Sequence, residues 1–131
     1  MYLIDDDKSV RRGFELFLKS AGMGYKSFES ADSFESVVEP DVNDTIILDL
    51  NLPGKSGCEF LQILREKKND VQVVVVTAFD EPRTRKLCKD LGVKAYLRKP
   101  VDGEALIDII KYNHIAWIVF EVTIWKWNIF L

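Results

Sequence analysis

Carboxylate, hydroxyl and ammonium side chains follow four short apolar runs of this chain. Three aspartates at positions 5–7 come directly after the first run, Asp49 closes a later run, and Thr77 and Lys99 end two further ones. If the four runs are strands of one parallel sheet, these groups meet in one crevice beside the carboxyl ends of the strands. Carboxylates gathered there repel each other and raise one another's pKa unless a cation joins them. The cluster therefore indicates a hard, oxygen-liganded metal ion, for which Mg²⁺ is the natural candidate.

The same groups supply the parts of a phosphoryl-transfer site. A Mg²⁺ ion held by two carboxylates keeps positions open for water and for a phosphoryl oxygen. Lys99 can balance the added negative charge, and the Thr77 hydroxyl supplies a neutral donor. In such a reaction the protein mainly positions groups and stabilises charge. Because carboxylates form acyl phosphates, Asp49 is the predicted nucleophile.

The elements that must position these groups alternate between apolar runs and amphipathic stretches. Strands are predicted at residues 2–4, 25–28, 45–50, 73–77 and 95–98. Helices are predicted between them and after the last strand, with Ser30 capping the second, Pro82 in the first turn of the fourth and Asp102 opening the fifth. The alternation predicts the α/β class, a doubly wound five-stranded parallel sheet with helices on both faces (flavodoxin-like), followed by an atypical apolar C-terminal tail.

Helical spacing of apolar residues indicates which side of each helix faces the core. The predicted buried positions are Val10, Phe14, Phe17, Leu18 and Ala21 in the first helix, Phe34, Val37 and Val38 in the second, Phe60, Leu61 and Leu64 in the third, and Leu106, Ile107 and Ile110 in the fifth. Gly22 and Gly92 are expected to end the first and fourth helices.

Length and composition limit what the chain can be. Its 131 residues, 47% hydrophobic and 30% charged, suit one globular domain with one core. A net charge of -3 with interspersed signs offers no basic face, so direct binding of nucleic acid is not expected. Cys58 and Cys88 lie beside apolar neighbours in predicted helices, and no signal peptide precedes the first strand. We therefore expect two reduced thiols and a cytoplasmic protein.

The segment 115–131 does not continue the alternating pattern. Thirteen of its 17 residues are apolar or aromatic, it holds all three tryptophans, and its only charges are Glu121 and Lys126. No membrane span is expected, because a span needs about 20 apolar residues and buried charges carry a penalty. Burial against another chain, including pairing in a homodimer, and an origin outside the natural domain both stay open. We predict a domain at 1–114 and a tail of unknown role at 115–131.

These residues resemble the response-regulator receiver domains of two-component signalling. Members of that family carry an acidic pair after the first strand, a phosphoacceptor segment after the third, and short motifs at the fourth and fifth strands. The matching segments here are Ile4-Asp5-Asp6-Asp7, Ile47-Leu48-Asp49-Leu50-Asn51-Leu52-Pro53-Gly54, Thr77-Ala78 and Lys99-Pro100. Each motif is weak alone, but their shared order and spacing at predicted strand ends support the resemblance over roughly the first 113 residues.

The resemblance implies phosphorelay signalling with Mg²⁺ as the cofactor. Asp6 and Asp49 would bind the ion through their side chains, Asp5 through water, and Asn51 through its backbone carbonyl. Asp49 would be phosphorylated by a sensor histidine kinase, a phosphotransfer protein or a small acyl phosphate. The chain would then be a regulatory domain that catalyses only its own phosphorylation and dephosphorylation.

The resemblance also implies a switch. Thr77 and Lys99 would bind the phosphoryl oxygens, and a cis peptide before Pro100 would aim Lys99 into the crevice. Movement of Thr77 would leave space into which Tyr96 rotates, which changes the face of the fourth helix, fifth strand and fifth helix for a downstream effector. Phe79, two residues after Thr77, would shield the acyl phosphate from water, which predicts slow self-dephosphorylation.

Two other functions stay open on the sequence. A haloacid-dehalogenase-like phosphatase shares the strand-end aspartate, a hydroxyl, a lysine and Mg²⁺, but expects a second aspartate where this chain has Asn51. A pseudo-receiver would bind partners without phosphorylation, although the intact acidic pair, Asp49, Thr77 and Lys99 argue against it. Turnover of an added phosphate ester would indicate the first function, and no phosphorylation from acetyl phosphate would indicate the second.

Overall fold

The computed structural model describes residues 1–111, which form five strands and five helices in strict alternation. In chain order they are β1 (Tyr2–Ile4), α1 (Lys8–Ser20), β2 (Lys26–Phe28), α2 (Ala31–Glu35), β3 (Thr45–Asp49), α3 (Gly57–Glu66), β4 (Gln72–Thr77), α4 (Pro82–Asp90), β5 (Ala95–Arg98) and α5 (Gly103–Lys111). All strand pairs are parallel, and the order across the sheet is β2-β1-β3-β4-β5. The predicted five-stranded parallel sheet is confirmed.

The chain reverses its direction across the sheet between β1 and β3. It steps from β1 outward to β2, then passes back to β3 and continues to β5. Because crossovers between parallel strands are right-handed, α1 lies on one face of the sheet and α2, α3 and α4 lie on the other. Helix α5 packs beside α1 and completes the first face. The sheet is therefore doubly wound, with a crevice at the carboxyl ends of β1 and β3.

The core lies on both sides of β3 and β4. Every residue of β3 is buried, and so are residues 73–77 of β4. Burial on both faces explains why these strands appear in the sequence as continuous apolar runs without alternation. On the face opposite α1, the rings of Phe34 and Phe60 meet edge to face with centroids 5.6 Å apart and join α2 to α3.

Local signals set the ends of the helices. Asp7 caps α1, and its Oδ1 accepts hydrogen bonds from the N–H groups of Ser9 and Val10 at 2.8 and 3.2 Å. Ser30 caps α2 in a reciprocal capping box. Gly22 follows α1 with a φ of 72°, a left-handed conformation that a residue without a side chain adopts at little cost.

Two residues that the helical spacing assigned to the core are exposed. Val37 is 72% exposed, because α2 ends at Glu35 and the helical stripe stops before it. Phe17 is 46% exposed and lies at the edge of the buried side of α1. Its ring rests against the backbone of Gly103, where an added Cβ atom would lie only 2.3 Å from the ring. Phe17 therefore contributes to the contact between α1 and α5.

Smaller differences concern element boundaries and α5. Strand β2 begins one residue later than expected, and β3 ends at Asp49 because the chain turns there to hydrogen-bond its own side chain. In α5 the buried residues are Gly103, Leu106 and Ile109, whereas Ile107 and Ile110 are half-buried. The side of α5 that faces the core is therefore rotated by part of a helical turn from the predicted side.

Two cysteines and the C-terminal tail were also the subject of sequence-based predictions. Cys58 in α3 is half-buried and Cys88 in α4 is buried, and both are free. Among residues 1–111, no helix is long and apolar enough to cross a membrane. The boundary at residue 114, the tail at 115–131 and its pairing in a homodimer lie outside the described residues.

Candidate functional site

Four strand ends bring the predicted site residues together at the reversal point of the sheet. Asp5 follows β1, Asp49 ends β3, Thr77 ends β4 and Lys99 follows β5. Because these strands are parallel neighbours, their carboxyl ends lie side by side. The backbone N–H of Lys99 donates to the carbonyl of Thr77 at 2.8 Å, which extends the pairing of β4 and β5 into the site.

Asp5, Asp6 and Asp49 form the acidic part of the site. One carboxylate oxygen of each lies within 4.8 Å of the others. Asp5 and Asp49 are buried, whereas Asp6 is exposed, so the cluster opens to solvent on the Asp6 side. Mg²⁺ binds to one or two carboxylates and keeps several waters. Two of these carboxylates could bind the ion directly, and the open side leaves room for its waters, so the cluster fits Mg²⁺.

Lys99 lies between the two buried carboxylates, and the peptide that joins it to Pro100 is cis, as the resemblance implied. Its Nζ donates to Asp5 Oδ2 at 2.8 Å and to Asp49 Oδ2 at 3.3 Å. Burial lowers the pKa of Lys99, but the hydrogen bond to Asp5 and the charges of both aspartates outweigh burial and raise the pKa above its ordinary value. Lys99 therefore stays an ammonium ion and offsets the charge of the aspartates.

The Asp49 carboxylate is held at both oxygens. Its Oδ1 accepts a hydrogen bond from the backbone N–H of Asn51 at 3.1 Å, and its Oδ2 accepts one from Lys99. Burial raises the pKa of Asp49, and the charge of Asp5 raises it further, while the donors from Asn51 and Lys99 only partly reverse this. The result is a fixed carboxylate that is more basic than an exposed one.

Asp5 is held by two groups that the motifs did not indicate. The backbone N–H of Asp7 donates to Asp5 Oδ1 at 2.9 Å. Arg11 donates from Nη1 to the carbonyl of Asp5 at 2.7 Å, across the start of α1. These contacts join the first turn of α1 to the end of β1. No sequence pattern marks Arg11 for this position, because the contact depends on the angle at which α1 leaves the strand.

Gly57 is a further residue whose position at the site the sequence analysis missed. A Cβ atom there would lie 2.5 Å from the carbonyl oxygen of Asp49 and 2.6 Å from the Cα of Leu50. Its N–H donates to the carbonyl of Leu50 at 3.0 Å. Only glycine lets the start of α3 approach the end of β3 so closely. The sequence predicts Gly57 in the loop after β3, whereas it is the first residue of α3.

Thr77 and Tyr96 share one partner in the loop after β4. Thr77 Oγ1 donates to the carbonyl of Phe79 at 3.3 Å and accepts from its N–H at 3.2 Å. Tyr96 is fully buried, and its hydroxyl lies 3.5 Å from the same carbonyl. Burial is the main reason that the pKa of Tyr96 is raised. Tyr96 is thus inside the domain while Thr77 still holds the loop after β4.

The chain is thus a doubly wound α/β domain that gathers carboxylates, a lysine and a hydroxyl at the reversal point of the sheet. A sequence profile of the family described as the response regulator receiver domain matches residues 1–111. The chain belongs to this family, and the recognition made from the motifs is confirmed. It is accordingly a regulatory domain of phosphorelay signalling, and the phosphatase and pseudo-receiver alternatives are not favoured.

Curated relatives agree with this membership. The chain is 30% identical over 111 residues to the transcriptional regulatory protein FixJ of Azorhizobium caulinodans, a match over 85% of this chain and 53% of that protein. It is 28% identical over 112 residues to the sporulation initiation phosphotransferase F of Bacillus subtilis, over 83% of this chain and 88% of that protein. It therefore spans about half of the first relative and most of the second.

The fold is also that of a solved receiver domain. The crystal structure of a CheY-like response regulator receiver domain protein from Methanospirillum hungatei has a TM-score of 0.76 with this chain. The match covers 84% of this chain and 88% of that one at 22% identity, so it shows the fold. The doubly wound arrangement predicted from the alternation of strands and helices is confirmed by this neighbour.

Proposed function

We propose that Asp49 accepts a phosphoryl group from a sensor histidine kinase, a phosphotransfer protein or a small acyl phosphate, with Mg²⁺ as cofactor. The proposed metal ligands are Asp5, Asp6 and Asp49, with Asn51 through its backbone carbonyl. The observation that carries the proposal is the state of the Asp49 carboxylate. It is buried, held by a donor at each oxygen, and next to two further aspartates and a lysine.

In the proposed reaction an oxygen of Asp49 forms a bond to phosphorus while the bond from phosphorus to the donor atom breaks. Mg²⁺, when bound, supplies positive charge that stabilises the phosphoryl oxygens. Lys99 already donates to Asp49, so a short displacement of its Nζ brings it to a phosphoryl oxygen. Thr77 offers its hydroxyl from the end of β4. Reversal by water completes a cycle in which the domain acts only on itself.

The proposed switch begins at Thr77. When the Thr77 hydroxyl turns to the phosphoryl group, its two hydrogen bonds with the backbone N–H and carbonyl of Phe79 break. The same carbonyl faces the hydroxyl of Tyr96, so a shift of this loop changes the environment of Tyr96. Because Tyr96 lies in β5 beside α4 and α5, the change reaches the face of these three elements. We take this face as the surface for the downstream effector.

The net charge and the free thiols support proposals for the effector and for the location of the protein. A net charge of -3 with mixed signs favours a protein effector over direct contact with nucleic acid. Free thiols at Cys58 and Cys88 fit a reducing compartment, and we propose a cytoplasmic location. Homodimerisation through the tail stays a prediction.

Intact-mass spectrometry after incubation with acetyl phosphate and Mg²⁺ tests the phosphoacceptor proposal. We expect the unmodified chain to gain one phosphoryl group, and Asp49→Asn or added EDTA to abolish the gain. Asp70→Asn serves as a control, because Asp70 is exposed and precedes β4 at the opposite edge of the sheet. A gain that persists in Asp49→Asn would contradict the proposal.

The same preparation separates the receiver from the phosphatase alternative. A receiver releases about one phosphate per phosphorylated molecule and does not turn over an added phosphate ester. A phosphatase with Asp49 as nucleophile would continue to release phosphate from the ester. Continuous release that is lost in Asp49→Asn would replace the receiver proposal with the enzyme.

A further inference from the structure

An ion pair joins the loop after β4 to helix α4. Arg85 donates from Nε to Asp80 Oδ1 at 3.1 Å, and from Nη2 to Asp80 Oδ2. The side chain of Asp80 is 10% exposed and that of Arg85 is 29% exposed, so salt screens the pair only in part. Two hydrogen bonds between one guanidinium and one carboxylate fix the relative orientation of the groups as well as their distance. The pair is therefore a stiff connection between the loop and the helix.

The pair lies at the two positions that set how a chain enters a helix. Helix α4 begins at Pro82, and the side chain of its N-cap residue Glu81 makes no capping hydrogen bond. Asp80 comes one residue before the N-cap, and Arg85 comes four residues after it. A contact between these two positions fixes the entry angle of the chain, a role that apolar side chains have in the hydrophobic staple. Here opposite charges fill that role at a helix start that lacks a side-chain cap.

The other end of this loop is held by Thr77. Its hydroxyl makes two hydrogen bonds with the backbone of Phe79, the residue directly before Asp80. The hydroxyl of Tyr96 lies 3.5 Å from the carbonyl oxygen of Phe79. Burial is the main cause that raises the pKa of Tyr96, the charge of Asp80 raises it further, and the charge of Arg85 lowers it. The contacts therefore run without a break from the end of β4 to α4, with Tyr96 beside them.

We propose that Arg85 is a positioning residue that, through Asp80, makes helix α4 follow the backbone of Phe79. The inference rests on the proposed function, in which the Thr77 hydroxyl turns to the phosphoryl group and releases Phe79. Without the ion pair, rotation of the backbone at the uncapped start of α4 absorbs a shift of the loop. With the ion pair, the loop and the helix move together. Arg85 thus carries the switch from Thr77 to the surface of α4 and touches no reacting atom.

A double-mutant cycle on the full chain tests this connection without phosphorylation. Thr77→Val removes the hydroxyl that holds Phe79 and keeps a β-branched side chain of similar size at this buried position. We expect it to shift the backbone amide NMR signals of Phe79 and of residues 86–90 in α4. When Arg85→Gln is also present, the shifts at 86–90 caused by Thr77→Val should fall to about a third or less, because the two sites are coupled. The shift at Phe79 should persist.

Two further variants assign the effect to the ion pair. Asp80→Ala should reduce the response of α4 as much as Arg85→Gln does, and combining the two should add nothing, because both remove the same contact. Arg83→Gln is the matched control. Arg83 is exposed and lies two residues before Arg85 in α4, so this variant removes the same charge and keeps the ion pair. It should leave the response of α4 to Thr77→Val unchanged.

Three results would overturn the proposal: no shift in α4 on Thr77→Val, an undiminished shift in the presence of Arg85→Gln, or equal losses with Arg85→Gln and Arg83→Gln. Circular dichroism shows whether each variant is folded. The cycle uses neither Mg²⁺ nor a phosphoryl donor. A failure of Asp49 to accept a phosphoryl group would thus leave this test intact, and a failure of the coupling would leave the proposed phosphoacceptor intact.

Discussion

Asp6 and Asp7 are neighbours whose carboxylates contact different groups. Asp7 caps α1 through the N–H groups of Ser9 and Val10, and its side chain is tied to the helix. Asp6 belongs to the acidic cluster with Asp5 and Asp49. Asp7 therefore makes a structural contact, whereas Asp6 is a proposed metal ligand. The difference comes from the start of α1, which fixes one carboxylate and leaves the other at the crevice.

Mg²⁺ should stabilise the folded domain through Asp6 and not through Asp7. An ion at about ten times its dissociation constant raises the free energy of unfolding by about 1.4 kcal/mol. We expect Asp6→Asn to lose most of this increase, and Asp7→Asn to keep it because asparagine is also a good N-cap. Urea unfolding with and without Mg²⁺ measures the effect. Equal losses in the two variants would contradict the assignment.

Phe79 should slow hydrolysis of the acyl phosphate. Its side chain is 65% exposed, and Thr77 holds its backbone beside the site. An aromatic ring cannot orient water by hydrogen bonding, whereas an amide can. We therefore expect Phe79→Asn to shorten the lifetime of phosphorylated Asp49 several-fold and Phe79→Leu to leave it nearly unchanged. Phosphate release after removal of acetyl phosphate measures the lifetime, and an unchanged lifetime in Phe79→Asn would refute the prediction.

Cys58 should be the reactive thiol of the pair in α3 and α4. A hydrogen bond with Cys88 is the main cause that lowers the pKa of Cys58 to about 7. The same hydrogen bond, followed by burial, raises the pKa of Cys88. At neutral pH, Cys58 is thus partly a thiolate, which is the form that reacts with alkylating agents. Cys88 stays protonated and buried.

The pH dependence of alkylation distinguishes this environment from that of an ordinary thiol. The lowered pKa of Cys58 predicts that its alkylation rate rises less steeply between about pH 6 and pH 8 than that of an ordinary thiol. An ordinary thiol with a pKa of about 8.5 would show a rise of roughly seventyfold. Peptide mass spectrometry after iodoacetamide treatment measures the rate, with Cys58→Ser as control. Labelling of Cys88 before Cys58 would contradict the expected order.

At the scale of elements, the contact between α3 and β3 positions the phosphoacceptor. Gly57 lets the helix approach the backbone of Asp49 and Leu50, and a side chain there meets main-chain atoms that cannot rotate away. We expect Gly57→Ala to lower the free energy of unfolding by about 1 to 3 kcal/mol, as overpacking does. It should also slow phosphorylation, because the end of β3 must shift.

Gly13→Ala is the matched control for this prediction. Gly13 lies within α1, and a methyl group there meets no heavy atom within 4 Å. Replacing a helical glycine by alanine in open space should raise the free energy of unfolding by about 0.5 to 1 kcal/mol. Urea denaturation followed by circular dichroism compares the two variants. Equal stability of both variants would show that the approach of α3 to β3 is not close.

The sequence predicted elements well where one periodicity dominates. Doubly buried β3 and β4 appear as apolar runs, and the spacing of Phe60, Leu61 and Leu64 identifies the inner face of α3. The prediction of buried residues was wrong where an element ends early, as α2 does before Val37. It was also wrong where two helices meet, as at Phe17. Such positions depend on tertiary contacts that no local pattern encodes. For the same reason, the sequence did not predict that Arg11 contacts Asp5.

At the scale of the whole molecule, the winding of the sheet assembles the site. Residues 5, 49, 77 and 99 are far apart in the chain, and the order β2-β1-β3-β4-β5 places them at one edge. Strand-end motifs therefore predicted the candidate site before its distances were known. The motifs do not encode how Lys99 divides its hydrogen bonds between two carboxylates, or that Tyr96 lies inside. Both depend on side-chain packing across several strands.

Locating the phosphoryl group within the chain tests whether Asp49 is the phosphoacceptor. Borohydride reduces an acyl phosphate of aspartate to homoserine, which peptide mass spectrometry then assigns to one position. After treatment with acetyl phosphate and Mg²⁺, we expect homoserine at position 49 and unchanged aspartate at positions 5 and 6. Homoserine at position 5 or 6, or a phosphoryl group that resists reduction, would contradict the claim that Asp49 is the phosphoacceptor.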